Sequence, residues 1–337
     1  MKRTFQTIVI GASMAVGVSA IATAPAHATS FTFNNPSQIR TYDSTNGTFI
    51  ANDTAAASRA LNDHNVTSNV ELWYTTENPL ENVGFTATKG NYSATVSSVK
   101  ASDWSNFGSQ WLNDLFTQYT DFKPTWDGFS ESTRTSVTSS FALLALGDPN
   151  IGSFQFGENG GVELKLIGHL DVKSRLSATL DTTLSSSWNA LKLVLTTAQK
   201  TAFFPGVTNS PTLAQVNSAL LLLPPTSANA TRRAALTSLK DLLTLQVTLN
   251  NFQGEIGASE IAKVVIGDKT HYAYSFNPSA SGITASDDGV SYSAIYTWQT
   301  DGFVAAVRHV PEPSVILGLL GVAGVFGVKR KFKKASA

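Results

Sequence analysis

The chain has 337 residues, 24 basic and 24 acidic side chains and no cysteine. That length supports a sizeable core, and the missing cysteine excludes disulfide staples, cysteine nucleophiles and thiolate metal sites. The formal neutrality is uneven: basic residues crowd both ends, and the acidic span between them lacks the basic footprint that nucleic-acid binding needs.

Met1-Lys2-Arg3 leads into an apolar run over 8–21 and then to Ala26-His27-Ala28 and Thr29. This is the pattern of a secretory signal peptide, with Ala26 and Ala28 as its small cleavage-site residues. An uncleaved anchor is the competing reading. Gly11, Ser13, Gly17 and Ser19 interrupt the run, which falls short of the ~20 residues a stable span prefers.

Residues 31–100 read as β, with strands expected at 70–74, 84–88 and 92–96 between Asn and Gly turns, and a short helix at 54–61. The period then changes to 3.6. Trp104, Phe107, Trp111, Leu115 and Tyr119 follow the capping pair Ser102-Asp103, and Pro124 marks the far side. Ser130 caps a second helix carrying Val137, Phe141 and Leu144, which stops at the turn Gly147-Asp148-Pro149-Asn150. Both aromatic faces read as core.

From Val162 to Val172, apolar residues alternate with polar ones, the pattern of one strand with a buried face. His169 and Asp171 then lie side by side on the wetter face, where a His/Asp couple suits acid–base work or weak binding. A solvent-facing pair on an antiparallel sheet is the plainer alternative. Three leucine-rich helical stretches follow, around Leu176–Leu195, Leu213–Leu223 and Leu236–Val247, separated by Pro205 and Pro224-Pro225. After Gly257 the chain returns to β: residues 261–266 and 271–276 form a hairpin across the four-residue loop Gly267-Asp268-Lys269-Thr270. Tyr272, Tyr274 and Phe276 share one face, as do Tyr292, Tyr296 and Trp298. Such rows either stack on sugars or, more commonly, pack a sheet onto its helices. Asp287-Asp288-Gly289 offers two carboxylates to calcium, or simply a solvated turn.

The last 28 residues are VPEPSVILGLLGVAGVFGVKRKFKKASA. Pro311 and Pro313 fix an extended backbone around Glu312. Residues 315–328 carry no charge, and Lys329, Arg330, Lys331, Lys333 and Lys334 follow as a stop-transfer cluster expected on the cytoplasmic side. Fourteen residues at about 1.5 Å each reach about 21 Å of a core about 30 Å thick, so a span needs snorkelling lysines and a thinned bilayer. Gly318, Gly321, Gly324 and Gly327 loosen it further.

An extended Pro-Glu-Pro, a short apolar span and a terminal basic cluster, behind a signal peptide, closely resemble the PEP-CTERM sorting signal. The resemblance implies that Pro311, Glu312 and Pro313 are recognised by exosortase, a membrane-embedded protease of Gram-negative bacteria. It further implies a transiently membrane-anchored precursor and delivery to the cell surface or extracellular polymer matrix. The body, notably LGDPNIGSFQFGENGGVELKLIGHLDV and GASEIAKVVIGDKTHYAYSF, resembles a PEP-CTERM family without an assigned biochemical role. Cleavage before Thr29 and after Pro313 removes Lys2, Arg3 and the five tail cations and no acidic residue, leaving 17 basic against 24 acidic residues, a net charge of −7.

The body has no G-x-S-x-G, H-E-x-x-H, phosphate-binding loop or EF-hand loop, and the spacing of His64, His169 and His271 enforces no metal site. No cofactor, metal or catalytic residue is expected. The expected architecture is α+β: a β-rich N-terminal region, a helical middle, and an antiparallel C-terminal sheet packing with the 162–172 strand, plus a short C-terminal transmembrane segment. Its divisions are a signal peptide over 1–28, an exported ectodomain of one or two units over 29–309, and a sorting signal over 310–337. Besides signal peptidase and exosortase, the expected partner is extracellular polysaccharide, in a structural or adhesive role. A carbohydrate-active enzyme, which needs two carboxyl groups about 5–10 Å apart, and a permanently membrane-anchored ectodomain are the alternatives.

Overall fold

The computed structural model describes residues 28–43, 48–51, 53–65, 68–73, 81–142, 148–280 and 294–305. Residues 1–27 of the expected signal peptide, Tyr74, Leu144, Gly147, Asp287, Asp288, Tyr292 and the whole 310–337 segment lie outside these residues. Strands β1 (Ser30–Phe33), β2 (Ile39–Asp43) and β3 (Thr48–Ala51) come first, then helix α1 (Thr54–Asp63) and strands β4 (Ser68–Leu72), β5 (Gly84–Lys89) and β6 (Tyr92–Ser98). A first helical stretch of α2 (Trp104–Gln118), α3 (Lys123–Asp127) and α4 (Glu131–Ser140) leads to β7 (Asn150–Phe156), β8 (Val162–Ile167) and the short β9 (Leu170–Asp171). A second, of α5 (Val172–Val194), α6 (Thr197–Phe203), α7 (Leu213–Leu222) and α8 (Ala230–Asn251), leads to β10 (Gly257–Ala258), β11 (Ala262–Ile266), β12 (Lys269–Ala273), β13 (Ser279–Ala280) and β14 (Ala294–Gln299).

The chain is α+β, with strand pairings that are antiparallel and that mix its two ends. Besides the two-stranded β10-β9 pair, one large sheet runs β1-β5-β6-β11-β12 and a second runs β13-β14-β8-β7-β4-β2-β3. The two pack face to face. Phe31 and Phe85 from the first sheet meet Phe154 of the second edge-on at 5.9 and 6.0 Å, the geometry that aromatic quadrupoles favour. Val70, Leu72, Leu164, Leu166 and Tyr296 on one side and Phe85, Val96 and Val264 on the other complete this core, and α1 adds Ala57, Ala60 and Leu61. Asp53 starts α1 by accepting hydrogen bonds from the Ala55 and Ala56 N–H groups, both 2.9 Å.

The helices form a second core. Trp104, Trp111, Phe116, Phe122 and Trp126 from the first stretch meet Leu180, Trp188 and Leu191 of α5 and Leu236, Leu239 and Leu243 of α8. Helix α8 is the hub, packed by α3, α4, α5 and α7. Among the described residues no helix is long and apolar enough to cross a membrane.

Several local expectations change. The expected succession of a β-rich region, a helical middle and a separate C-terminal sheet becomes interleaved: β11 pairs with β6, and β14 pairs with β8. The β14–β8 pairing, with the short β10–β9 bridge, joins the C-terminal strands to the 162–172 stretch. That stretch is not one strand, because β8 stops at Ile167 and Gly168 adopts φ 125°, a conformation reserved for glycine. Val172 is already the first residue of α5. The β11–β12 hairpin closes over two residues rather than four, with Ile266 opposite Lys269; Gly267 at φ 60° supplies the positive dihedral that so tight a turn requires. Ser102-Asp103 lies in a 3-10 turn, and the Asp103 side chain does not cap α2. Pro124 sits in the first turn of α3, where its missing N–H costs nothing.

Candidate functional site

A cleft of about 740 Å³ wraps around β12, the outermost strand of the first sheet. Its size suits a small ligand or a segment of a polymer. Three elements build it. Helix α2 contributes Asn106, Gln110 and Asp114, which lie four residues apart and therefore on one face, above the buried Phe107. Strand β12 contributes alternate faces: Thr270 and Tyr272, continued by Tyr274, toward α2, and His271 on the opposite side. The end of β14 contributes Trp298, Gln299, Thr300 and Asp301.

The walls are braced from within. Tyr272 stacks on Phe107 with ring centroids 4.1 Å apart, and Asn106 donates to its hydroxyl at 3.4 Å. Tyr274 donates its hydroxyl proton to Asp114 at 2.8 Å. Burial first, then that hydrogen bond and the Asp114 charge, push the Tyr274 phenol well above its ordinary range, so it stays a donor at every physiological pH. His271 and Trp298 face each other across the strand edge with centroids 6.1 Å apart. Behind the cleft, Gln155 and Gln299 both donate to the Glu163 carboxylate, which orients the Gln299 amide. Lys263 on the floor is paired with Asp103 at 2.8 Å. Asp103 also accepts from the Lys100 backbone N–H at 2.9 Å and from Asn82 at 3.3 Å. Burial alone would raise the Asp103 carboxyl, but these partners together hold it below its ordinary value.

The sequence-nominated pair lies elsewhere, at the junction of the two cores. Asp171 caps α5, accepting from the Ser174 N–H at 3.2 Å and the Ser174 hydroxyl at 2.6 Å. Burial opposes its ionisation, but those bonds, the Lys173 N–H and the neighbouring His169 outweigh it and lower its pKa. His169 shares a hydrogen bond of 3.1 Å with Tyr296, whose phenol burial pushes far above its ordinary range. The imidazole also packs against Gly257, where a Cβ would come within 2.2 Å of its Cε1. Opposite, Tyr119 grips the same glycine twice, donating to its carbonyl at 2.9 Å and accepting from its N–H at 2.8 Å. Gly257 pairs with Asp171 in the β9–β10 bridge. His169 and Asp171 thus have structural partners, and neither lines the cleft.

Of the aromatic rows, Tyr274 and Phe276 pack on the helical core, Tyr272 and Tyr274 also line the cleft, Trp298 reaches it from the second sheet, and Tyr296 is fully buried. Asn106, Gln110, Asp114, Gln299 and Asp301 escaped the sequence reading. The available signal was the amide–amide–carboxylate spacing on α2, but nothing local places that face over β12. Among the described residues there is no group of three or more His, Asp or Glu arranged to hold a metal ion.

Chemically the cleft offers aromatic edges and faces beside amides, hydroxyls and two carboxylates, a set matched to a polyhydroxylated ligand. Comparison with protein-family models, with curated proteins and with solved structures finds no match, so no family membership follows from likeness.

Proposed function

We propose that this is an exported protein of the PEP-CTERM kind, sorted through Pro311-Glu312-Pro313 by an exosortase, whose body associates non-catalytically with extracellular polysaccharide through the β12 cleft. The cleft is the observation that supports the ligand class. Sugar rings present axial hydrogens to aromatic faces and hydroxyls to planar amides and carboxylates, and Trp298, Tyr272, Asn106, Gln110 and Gln299 supply both kinds of partner within one groove. Asp114 accepts a hydrogen bond from the Tyr274 hydroxyl, which fixes its carboxyl group in the cleft wall. The acidic ectodomain suits solubility outside the cell.

Affinity electrophoresis of the full chain through gels containing matrix polysaccharide from the native host tests the ligand. Retardation is expected, with Trp298→Ala and Gln110→Ala each weakening it about tenfold or more. Unretarded migration sinks the polysaccharide assignment, and new reducing ends appearing in the incubated polymer replace binding with the carbohydrate-active-enzyme reading. Intact-mass analysis of the mature protein tests sorting: ends near Thr29 and Pro313 support it, whereas recovery of Lys329 to Ala337 leaves a permanently anchored ectodomain.

A further inference from the structure

The α5–α8 stretch is basic and ends in an apolar tip. Residues 172–251 hold seven lysines and arginines against Asp181 and Asp241, and no acidic residue at all lies between Thr182 and Lys240. This basic block sits in a body whose expected exported form carries a net charge of −7. Adjacent arginines at the start of α8 draw two helix ends to one place. Arg232 donates to the Val194 carbonyl at 2.9 Å at the end of α5, and Arg233 donates to the Leu220 carbonyl at 2.8 Å and to that of Leu223 at the end of α7. Each guanidinium thereby satisfies orphan carbonyls at a helix C-terminus, where positive charge is favoured.

Beside these anchors, Leu193 and Leu221 are each 87% exposed and Leu222 is 64% exposed, and the exposed Pro224 and Pro225 follow. Isolated surface leucines need no account, but three large apolar side chains brought to one end of a layer form a patch. Lys192 is next to Leu193, and its amine lies 5.4 Å from the Trp188 ring centroid. Lys200 follows on α6.

We propose that this tip docks on the surface of an anionic phospholipid bilayer, inserting Leu193, Leu221 and Leu222 among the headgroups while Lys192 and Lys200 face the lipid phosphates. Charge complementarity selects the occupant. An acidic second copy would offer anionic surface without acyl chains, and an acidic polysaccharide would leave the leucines in water. A bilayer with anionic headgroups satisfies both halves of the patch, as interfacial helices with basic flanks do. The docking is independent of the cleft and of the 315–328 segment.

The cysteine-free chain permits a clean test. The full chain carrying a single environment-sensitive fluorophore at Leu222→Cys is mixed with vesicles of phosphatidylcholine, alone or with phosphatidylglycerol. A control label occupies Asp268→Cys in the exposed β11–β12 turn. Emission at the tip is expected to shift to the blue and brighten about twofold with the anionic vesicles only, while the control stays unchanged. High salt, or the pair Lys192→Glu and Lys200→Glu, abolishes most of that response. A label at Leu193→Cys approaches the same tip from another helix and guards against a local defect. Equal responses at tip and turn, no preference for anionic lipid, or indifference to the charge reversals overturns the proposal. A tip signal that grows with protein concentration in the absence of vesicles replaces the bilayer with a second copy.

Discussion

In the sandwich, Val96 of β6 lies opposite Val264 of β11, and Leu166 of β8 lies between Ile151 of β7 and Tyr296 of β14, so strands far apart in the chain must meet before a core exists. In the helical layer, Leu176, Leu180, Leu184 and Trp188 share a face within one helix and are buried by α8, the next long helix in sequence. The first region depends on long loop closures, the second largely on neighbours. They are joined by the β9–β10 bridge, the Tyr119 grip on Gly257, the Asp103–Lys263 pair and the α2 contacts with the β12 segment, Phe107 on Tyr272 and Asp114 with Tyr274.

Breaking either core is the largest expected effect. Phe154→Ala in the sandwich and Trp188→Ala in the helical layer should each cost about 3–5 kcal/mol, since both rings are almost fully buried. Urea unfolding followed by fluorescence and far-UV circular dichroism checks the size and the coupling. One coincident transition is expected for both variants, because the bridge and the Tyr119 grip tie the layers; a separate early transition in Trp188→Ala would show the helical layer unfolding alone.

Next in size is Asp103→Asn, which removes the ionic link between the start of α2 and β11. A loss of about 1.5–3 kcal/mol is expected at neutral pH, the scale of hydrogen bonds to a charged group. The folded state lowers the Asp103 pKa, so its stabilisation is present above the unfolded value of about 3.9 and is lost as pH falls through the folded value. The difference between parent and variant should therefore shrink in acid. A stability gap that is constant from pH 7 to pH 3 would count against the ionised Asp103 as the cause.

Gly257→Ala tests the junction, because its methyl group would collide with the His169 ring. A cost of about 1–3 kcal/mol is expected, reduced when His169→Ala is present to clear the space. The interaction energy from that double-mutant cycle measures the contact; additivity would mean that the strain lies elsewhere. The smallest effect belongs to Lys123→Ala on α3, whose pairing with Asp127 at 2.5 Å is a surface contact within one helix. A change below about 0.5 kcal/mol in the same unfolding assay is expected.

Local chemistry made much of this fold legible. The 3.6 period of α2, α5 and α8, the Ser130 cap of α4 and the alternation in β5, β6 and β8 are each written in a few consecutive residues, because hydrogen bonding within an element depends only on near neighbours. The end of β8 was misread for a reason just as local: Gly168 and Asp171 fit an alternating pattern as well as they fit a bend and a cap, and apolar spacing alone does not separate the two.

What the sequence by itself determined is the longer helices and strands such as β5, β6 and β11, the cysteine-free reliance on buried apolar surface, and the charge contrast between the basic 172–251 stretch and the acidic remainder. Tertiary structure alone decided that β11–β12 joins β6 while β14 joins β8, that His169 and Asp171 serve a junction, and that the polar face of α2 stands over β12 to make a cleft. The physical reason is that strand partners and cleft walls are chosen by which apolar faces cover one another best, a comparison among surfaces that no short stretch of chain contains.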